Sequence, residues 1–295
     1  MTTTEPALDS GASAATADLL EAARAIQPDV VAIRRRIHRQ PEVGLALPKT
    51  QALILEELAR LGIEGRPGQA LSSVVAVIAG GRPGPTVLLR GDMDALPLRE
   101  DTGLDFESEL DGAMHACGHD THVAMLLGAA RLLNDRRADL PGHVILMFQP
   151  GEEGLGGAKT MIEEGLLDAA AAAGGERPTG ALAIHISTRY PTGEIHLKPG
   201  PEMAATDVIR ITVRGRGGHA SAPHTALDPI VVAAEIVIAL QAMVTRRIDV
   251  FDPAVVTIAQ ITAGATNNII PESVFLFGTI RSVSETTRAE VRAGV

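Results

Sequence analysis

The stretch Val144-Ile145-Leu146-Met147-Phe148-Gln149-Pro150-Gly151-Glu152-Glu153-Gly154 reads as an apolar strand running into a Gly-rich acidic loop, Gln149 to Gly157. Short apolar runs bounded by turn residues are strand signals, and what surrounds this one decides the fold. Upstream, Val74–Ala79 and Thr86–Arg90 are two further apolar runs, separated by Gly80-Gly81-Arg82-Pro83-Gly84-Pro85 in a strand–turn–strand pattern. Three helices are predicted around them. Ala15–His38 is closed by Pro41-Glu42-Val43-Gly44. Pro48–Leu61 has Pro in its first turn, Gly62 at its exit, and Leu53, Ile54, Leu58 and Leu61 on one face. Thr121–Leu133 turns Val123, Leu126, Leu127, Ala130 and Leu133 inward. Downstream come a short helix, Ala158–Glu164, and a strand, Ala181–Ile186. Strands alternating with helices predict a layered α/β domain.

The texture changes after Lys198-Pro199-Gly200-Pro201. Strand Val208–Arg214, helix Asp228–Thr245, strand Val255–Ile261 and strand Val274–Arg281 form a β-α-β-β pattern, and Ser282…Glu285 reads as a capping box opening one more helix. This divides the chain into 1–14, a disordered N-terminal extension rich in Thr, Ser, Ala and Gly; 15–201, a layered domain; and 202–295, a smaller α+β domain.

The 295 residues carry 26 Lys and Arg against 36 Asp and Glu, a formal charge of −10. That balance argues against a nucleic-acid binder, since neutralising phosphates needs surplus Lys and Arg. No Trp, one Tyr and five Phe leave little to stack bases on. The single cysteine, Cys117, excludes an internal disulfide. The most apolar stretch, Pro229–Val244, is broken by Glu235 and Gln241, so no membrane span is expected, and the first twenty residues lack the basic opening and apolar run of a secretion signal. A cytoplasmic protein is the expectation.

Chemistry concentrates in a few places. His115-Ala116-Cys117-Gly118-His119-Asp120-Thr121-His122 gathers three of nine His and the only Cys into eight residues. Thiolate and imidazole suit a borderline divalent ion, and the Gly between Cys117 and His119 lets a tight loop turn both inward. A surface His cluster over a buried Cys, or a Cys117 nucleophile with a His base, explains the same residues. Glu152 and Glu153 are adjacent carboxylates that diverge on an extended backbone, so one can hold a metal and the other a water proton; a solvated acidic turn is the plainer alternative. In Arg90-Gly91-Asp92-Met93-Asp94-Ala95-Leu96-Pro97 the carboxylates follow a strand end, where open α/β sheets bind ligands, although an Asx-type turn fits too. His185 closes an apolar run, either as a ligand or as a packed strand-end residue. Gly215-Arg216-Gly217-Gly218-His219-Ala220-Ser221 offers donors to an anion, or is a plain hairpin loop. Asn268 and Arg281 add polar groups near strand ends, and the Arg281 fork matches a carboxylate.

Taken in order, from Arg34-Arg35-x-x-His38-x-x-Pro41-Glu42 to Arg281, these motifs resemble the metal-dependent amidohydrolase and metallopeptidase family of aminoacylases, hippurate hydrolases, indole-acetyl-amino-acid hydrolases and glutamate carboxypeptidases. The resemblance implies a zinc-peptidase-like α/β catalytic domain interrupted by a smaller lid or dimerisation domain with a four-stranded sheet. It implies metal ligands at Cys117, His119, Glu153 and His185, a general base at Glu152, a supporting carboxylate at Asp94, an oxyanion-steadying His219, and a substrate carboxylate held by Asn268 and Arg281. It further implies one or two divalent ions per subunit, manganese or zinc with cobalt or nickel as options, a small N-acyl amino acid substrate, and a homodimer through the lid. Family members return after the lid to complete the catalytic domain and supply a last His ligand, so a fragment of a longer product is expected. The competing reading is an inactive relative that binds or dimerises without turnover.

Overall fold

The computed structural model describes residues 10–295. They fall into two units, one running to Tyr190 and the other spanning Pro191–Val295. The first unit contains helix α1 (Ser10–Arg39), helix α2 (Pro48–Arg60), strands β1 (Gly65–Pro67), β2 (Val74–Ala79) and β3 (Arg82–Asp92), helix α3 (His119–Asp135), strand β4 (Pro141–Gln149), helix α4 (Gly157–Glu163) and strand β5 (Gly180–Ala183). Its sheet has the order β1-β2-β4-β3-β5. β4, β3 and β5 run parallel, β2 adds to β4 antiparallel, and β1 pairs antiparallel with β2 at that edge.

Strand alternation gives the layers. Val144, Leu146 and Phe148 of β4 face a core with Ile54 and Leu58 of α2 and Val123 and Leu127 of α3. Ile145 and Met147, one residue out of phase, face Leu88, Met161 and Leu166 on the opposite side. A strand covered on both faces must be apolar at every position, which is why Val144–Phe148 shows no alternation. Each such fully buried side chain stabilises the fold by about 1.5–3 kcal/mol. The parallel strands end together: Asp92 is in register with Gln149, and Arg90 with Ala183. The segments leaving those three ends carry the chemistry.

The second unit contains β6 (Ala205–Arg214), β7 (Gly218–His219), α5 (Pro229–Arg247), β8 (Ala254–Ala263), β9 (Ile269–Ile270), β10 (Ser273–Ser282) and α6 (Glu285–Gly294). An antiparallel sheet, β6-β10-β8, buries Ile209, Val256 and Ile280 against Leu240 of α5 and Val291 of α6. β7 and β9 form a separate two-stranded ribbon.

Several expectations need correction. Residues 1–9 of the expected disordered extension lie outside the described residues, while 10–14 belong to α1; Ala runs favour helix, and a composition reading discounts them. The two units meet at Tyr190–Pro191, eleven residues before the expected 201/202 boundary. Among the described residues the second unit's main sheet has three strands where four were expected. The helix after β10 is capped by Ser284, whose hydroxyl accepts from the Thr287 N–H at 3.1 Å, and Ser282 belongs to the strand. β5 ends at Ala183, so His185 lies beyond the ladder. Finally, α5 is long and apolar enough by length and composition to span a bilayer, despite Glu235 and Gln241. Ala233 and Leu240 on one side of it are buried in this unit's core.

Candidate metal centre

β3 and β4 deliver the acidic part of the site from neighbouring strand ends. Two residues past β3, buried Asp94 accepts the backbone N–H of Glu152 at 3.0 Å on one carboxylate oxygen and that of Glu153 at 3.1 Å on the other. An Asp from one strand end thereby templates the acidic turn after the next. Glu152 and Glu153 lie in that turn rather than on extended backbone, which corrects the sequence expectation; the Pro150-Gly151 pair, with Gly151 at φ 68°, takes the chain out of the sheet.

α3 delivers the Cys and His part. Its N-cap is Gly118 at φ 82°, a left-handed conformation that L side chains rarely adopt, and a Cβ there would lie 2.4 Å from Ile186 Cγ2. The turn leaves Cys117 and His119 on either side. His119 is 0% exposed. Its Nδ1 lies 3.5 Å from Asp94, and its Nε2 3.6 Å from Asp92 and 3.9 Å from Glu153. Cys117 Sγ is 3.5 Å from His185 Nε2. Three trios share His119, each with its donor atoms within 4.8 Å of one another: Cys117, His119 and His185; Asp92, His119 and His122; and His119, Glu152 and Glu153.

The charges show what this arrangement wants. Burial raises the Glu152 carboxyl, and the neighbouring Glu153 and Asp92 raise it further, so its pKa lies above the ordinary carboxylate value. Burial, then the charge of Glu153, pushes the Cys117 thiol up to about 12. These acidic neighbours disfavour the thiolate that a Cys–His hydrolase needs, whereas a bound cation stabilises it. Burial opposes charge on His119, but Asp94 and Asp92 outweigh it and hold its pKa up. Burial likewise opposes ionisation of Asp92 and Asp94, yet contacts with His122 and His119 respectively, among others, leave both below the usual range. Four carboxylates converge here, and Arg90, with Nη1 2.6 Å from Asp92, is the permanent cation among them.

These observations fit a divalent ion. Both nitrogens of the buried His119 lack a hydrogen-bond partner among the described residues, and leaving such groups unmet is costly. The donor set of thiolate, imidazole and carboxylate under excess negative charge is what zinc, or a first-row neighbour, binds.

The structure therefore brings Glu152, Asp94, Cys117, His119, Glu153 and His185 together, all within the first unit. It adds three residues that the sequence reading did not single out: Asp92, His122 and Arg90. The signal for them was their place inside the quoted motifs. A second buried polar network lies behind the centre. His38 Nδ1 is 2.8 Å from Asp120 and its Nε2 3.1 Å from Glu100, while Arg34 Nε donates to Asp120 at 2.9 Å. Asp120 follows His119 directly, so this network ties α1 to the start of α3.

In the second unit, His219 is exposed on β7 and its Nδ1 accepts from the Ser221 hydroxyl at 2.8 Å. The backbone carbonyl of Asn268 accepts from Ala220 N–H at 3.1 Å, which brings the His219 and Asn268 segments side by side. Arg281, exposed on β10, donates to Thr279 Oγ1 at 2.7 Å.

The sequence signature of Peptidase family M20/M25/M40 matches residues 88–290. Thermostable carboxypeptidase 1 of Saccharolobus solfataricus is 44% identical over 91% of this chain and 67% of its own length. N-acetyl-L-cysteine deacetylase of Bacillus subtilis is 40% identical over 90% of this chain and 62% of its own length. A solved Bacillus subtilis structure, titled a dinuclear metal binding peptidase from the M20 family, superposes with a TM-score of 0.73 at 35% identity, covering 91% of this chain and 67% of that one. The chain spans about two thirds of the length of these relatives.

Proposed function

Because the chain belongs to peptidase family M20/M25/M40, and its relatives include a carboxypeptidase and an N-acetyl-L-cysteine deacetylase, we propose that it hydrolyses the amide bond of N-acyl amino acids or similar small conjugates. The observation that carries this reading is the buried His119 imidazole, which has no hydrogen-bond partner among the described residues and lies among thiol and carboxylates. Cys117, His119, Glu153 and His185 would hold one or two divalent ions, zinc or manganese, with cobalt or nickel compatible with the same donors. Such an ion, when bound, lowers the pKa of a water and polarises a carbonyl.

The chain's own residues do the rest. Glu152 takes the proton of the attacking water and passes it to the leaving amine, and its raised pKa suits both transfers. Asp94 holds the Glu152 and Glu153 amides, and so sets where those two carboxylates begin. From the second unit, His219 donates to the developing oxyanion, and Asn268 and Arg281 hold the substrate carboxylate, which a chain of charge −10 otherwise repels. The second unit is also the surface through which two copies pair. The test is a panel of N-acyl amino acids with each divalent metal and with chelator. Metal-dependent release of free amino acid supports the reading, and turnover that survives full chelation overturns it.

A further inference from the structure

Proper placement of His185 is not explained by the sheet. The β3–β5 ladder ends at Arg90 and Ala183, so nothing in it reaches a residue two positions further on. The bonds that do reach it converge on Ile186. The Ile186 N–H donates to His122 Nε2 at 3.0 Å. Its carbonyl lies 2.6 Å from His185 Nδ1. Its side chain rests over the Gly118 cap.

These bonds settle the protons. An amide N–H only donates, so His122 Nε2 is the unprotonated acceptor and Nδ1 carries the hydrogen, given to Asp92 Oδ1 at 2.5 Å. A carbonyl only accepts, so His185 carries its hydrogen on Nδ1, and its Nε2 lone pair faces Cys117 Sγ. Asp92 is anchored in turn by Arg90 Nη1 at 2.6 Å, and Arg90 Nε donates to Gln149 at 2.8 Å. The His122 ring is clamped between the other two imidazoles, 5.4 Å from His119 in a stacked pair and 4.7 Å from His185 edge-on. Both of its nitrogens are used by protein, so it has no lone pair left for an ion.

We propose that His122 is a positioning residue: through the Ile186 peptide it fixes the place and tautomer of His185, and it is itself fixed by Asp92 and Arg90. This rests on His185 being a metal ligand under the proposed function. Groups that orient a ligand imidazole from behind change metal affinity when removed, by about 10–100-fold. Here the orienting group acts across one peptide unit.

The experiment uses the full chain, cobalt(II) as the probe, and two readouts besides turnover: the cobalt–thiolate absorption during titration, and the ring-nitrogen NMR shifts of His185 without metal. His122→Phe keeps the ring volume and removes both bonds. It is expected to weaken cobalt binding by about 10–100-fold and to release His185 from its Nδ1–H tautomer. His122→Gln places a carbonyl where Nε2 was, so it restores the Ile186 bond and most of the affinity. His122→Asn places it where Nδ1 was and does not. A His122→Phe chain with unchanged affinity and an unchanged His185 tautomer overturns the proposal, as do equal Gln and Asn variants, a comparison that stands even where the Phe variant does not fold. If the wild-type chain takes up no cobalt, the metal-centre reading fails. The NMR comparison still decides whether His122 sets the His185 tautomer.

Discussion

The candidate residues of the two units are held in different ways. In the first unit, their partners are far apart in sequence: Asp94 bonds Glu152 at a separation of 58, Cys117 approaches His185 at 68, and His122 meets Asp92 at 30. In the second, His219, Asn268 and Arg281 bond side-chain partners two residues away and are exposed. One site is assembled by the fold, and the other set of groups is presented on a surface. Assembly around the buried His119 and Asp94 sets the exposed Glu152 and half-buried Cys117 beside the acidic neighbours that raise both above their ordinary pKa values. Changes to the ligands and the residues that position them in the first unit should therefore disturb metal and stability together, while changes in the second should leave metal content unchanged.

The largest effect that sharpens this contrast is Glu152→Gln. It keeps the turn and the Asp94 bonds but removes the base, so turnover should fall by about 10²–10⁴ with metal content unchanged. Steady-state kinetics beside metal analysis checks it. Gly118→Ala comes next. A left-handed backbone costs an L residue about 1–2 kcal/mol, and the new Cβ lies 2.4 Å from Ile186 Cγ2; calorimetry and metal titration should show both stability and affinity reduced. In the second unit, Arg281→Ala should raise KM for carboxylate substrates by about 10–100-fold, the worth of a charged hydrogen bond at about 1.5–3 kcal/mol. Its kcat and metal content should stay near wild type. A parallel loss of metal in that variant would break the comparison.

The smallest effect concerns His38. Its hydrogen bond to Asp120 raises its pKa above 6.5, with burial opposing and Glu100 adding to the rise. A raised folded pKa stabilises fully below the unfolded value and is lost as pH rises through the folded value. His38→Asn should therefore lose most stability, relative to wild type, below about pH 6.5, and the gap should narrow at higher pH. Denaturant melts at several pH values check it, and a gap that stays constant or widens as pH rises would contradict it.

Much of this was legible in the sequence because the informative patterns were local. Val144–Phe148 and its flanking helices showed a layered α/β unit, and six candidate residues that the fold brings together could be named from motifs at strand and helix ends. What could not be read was whatever long-range bonds decide. That β5 stops at Ala183 depends on its pairing with β3, not on the apolarity of Ala181–Ile186. Asp92 and His122 lay inside quoted motifs, but only their mutual approach distinguishes them from ordinary polar residues. Conversely, the helical start at Ser10 is a matter of Ala propensity, which composition alone obscured.

The central claim is that the cluster around His119 is a divalent-cation site. The most direct measurement is zinc affinity by competition with a chromophoric chelator, on the wild-type chain and on His119→Ala and Cys117→Ser. The account predicts saturable binding by wild type that both variants weaken, His119→Ala the more because it belongs both to the trio with Cys117 and His185 and to the trio with Glu152 and Glu153. Absence of saturable binding by wild type, or binding that neither substitution changes, would contradict it.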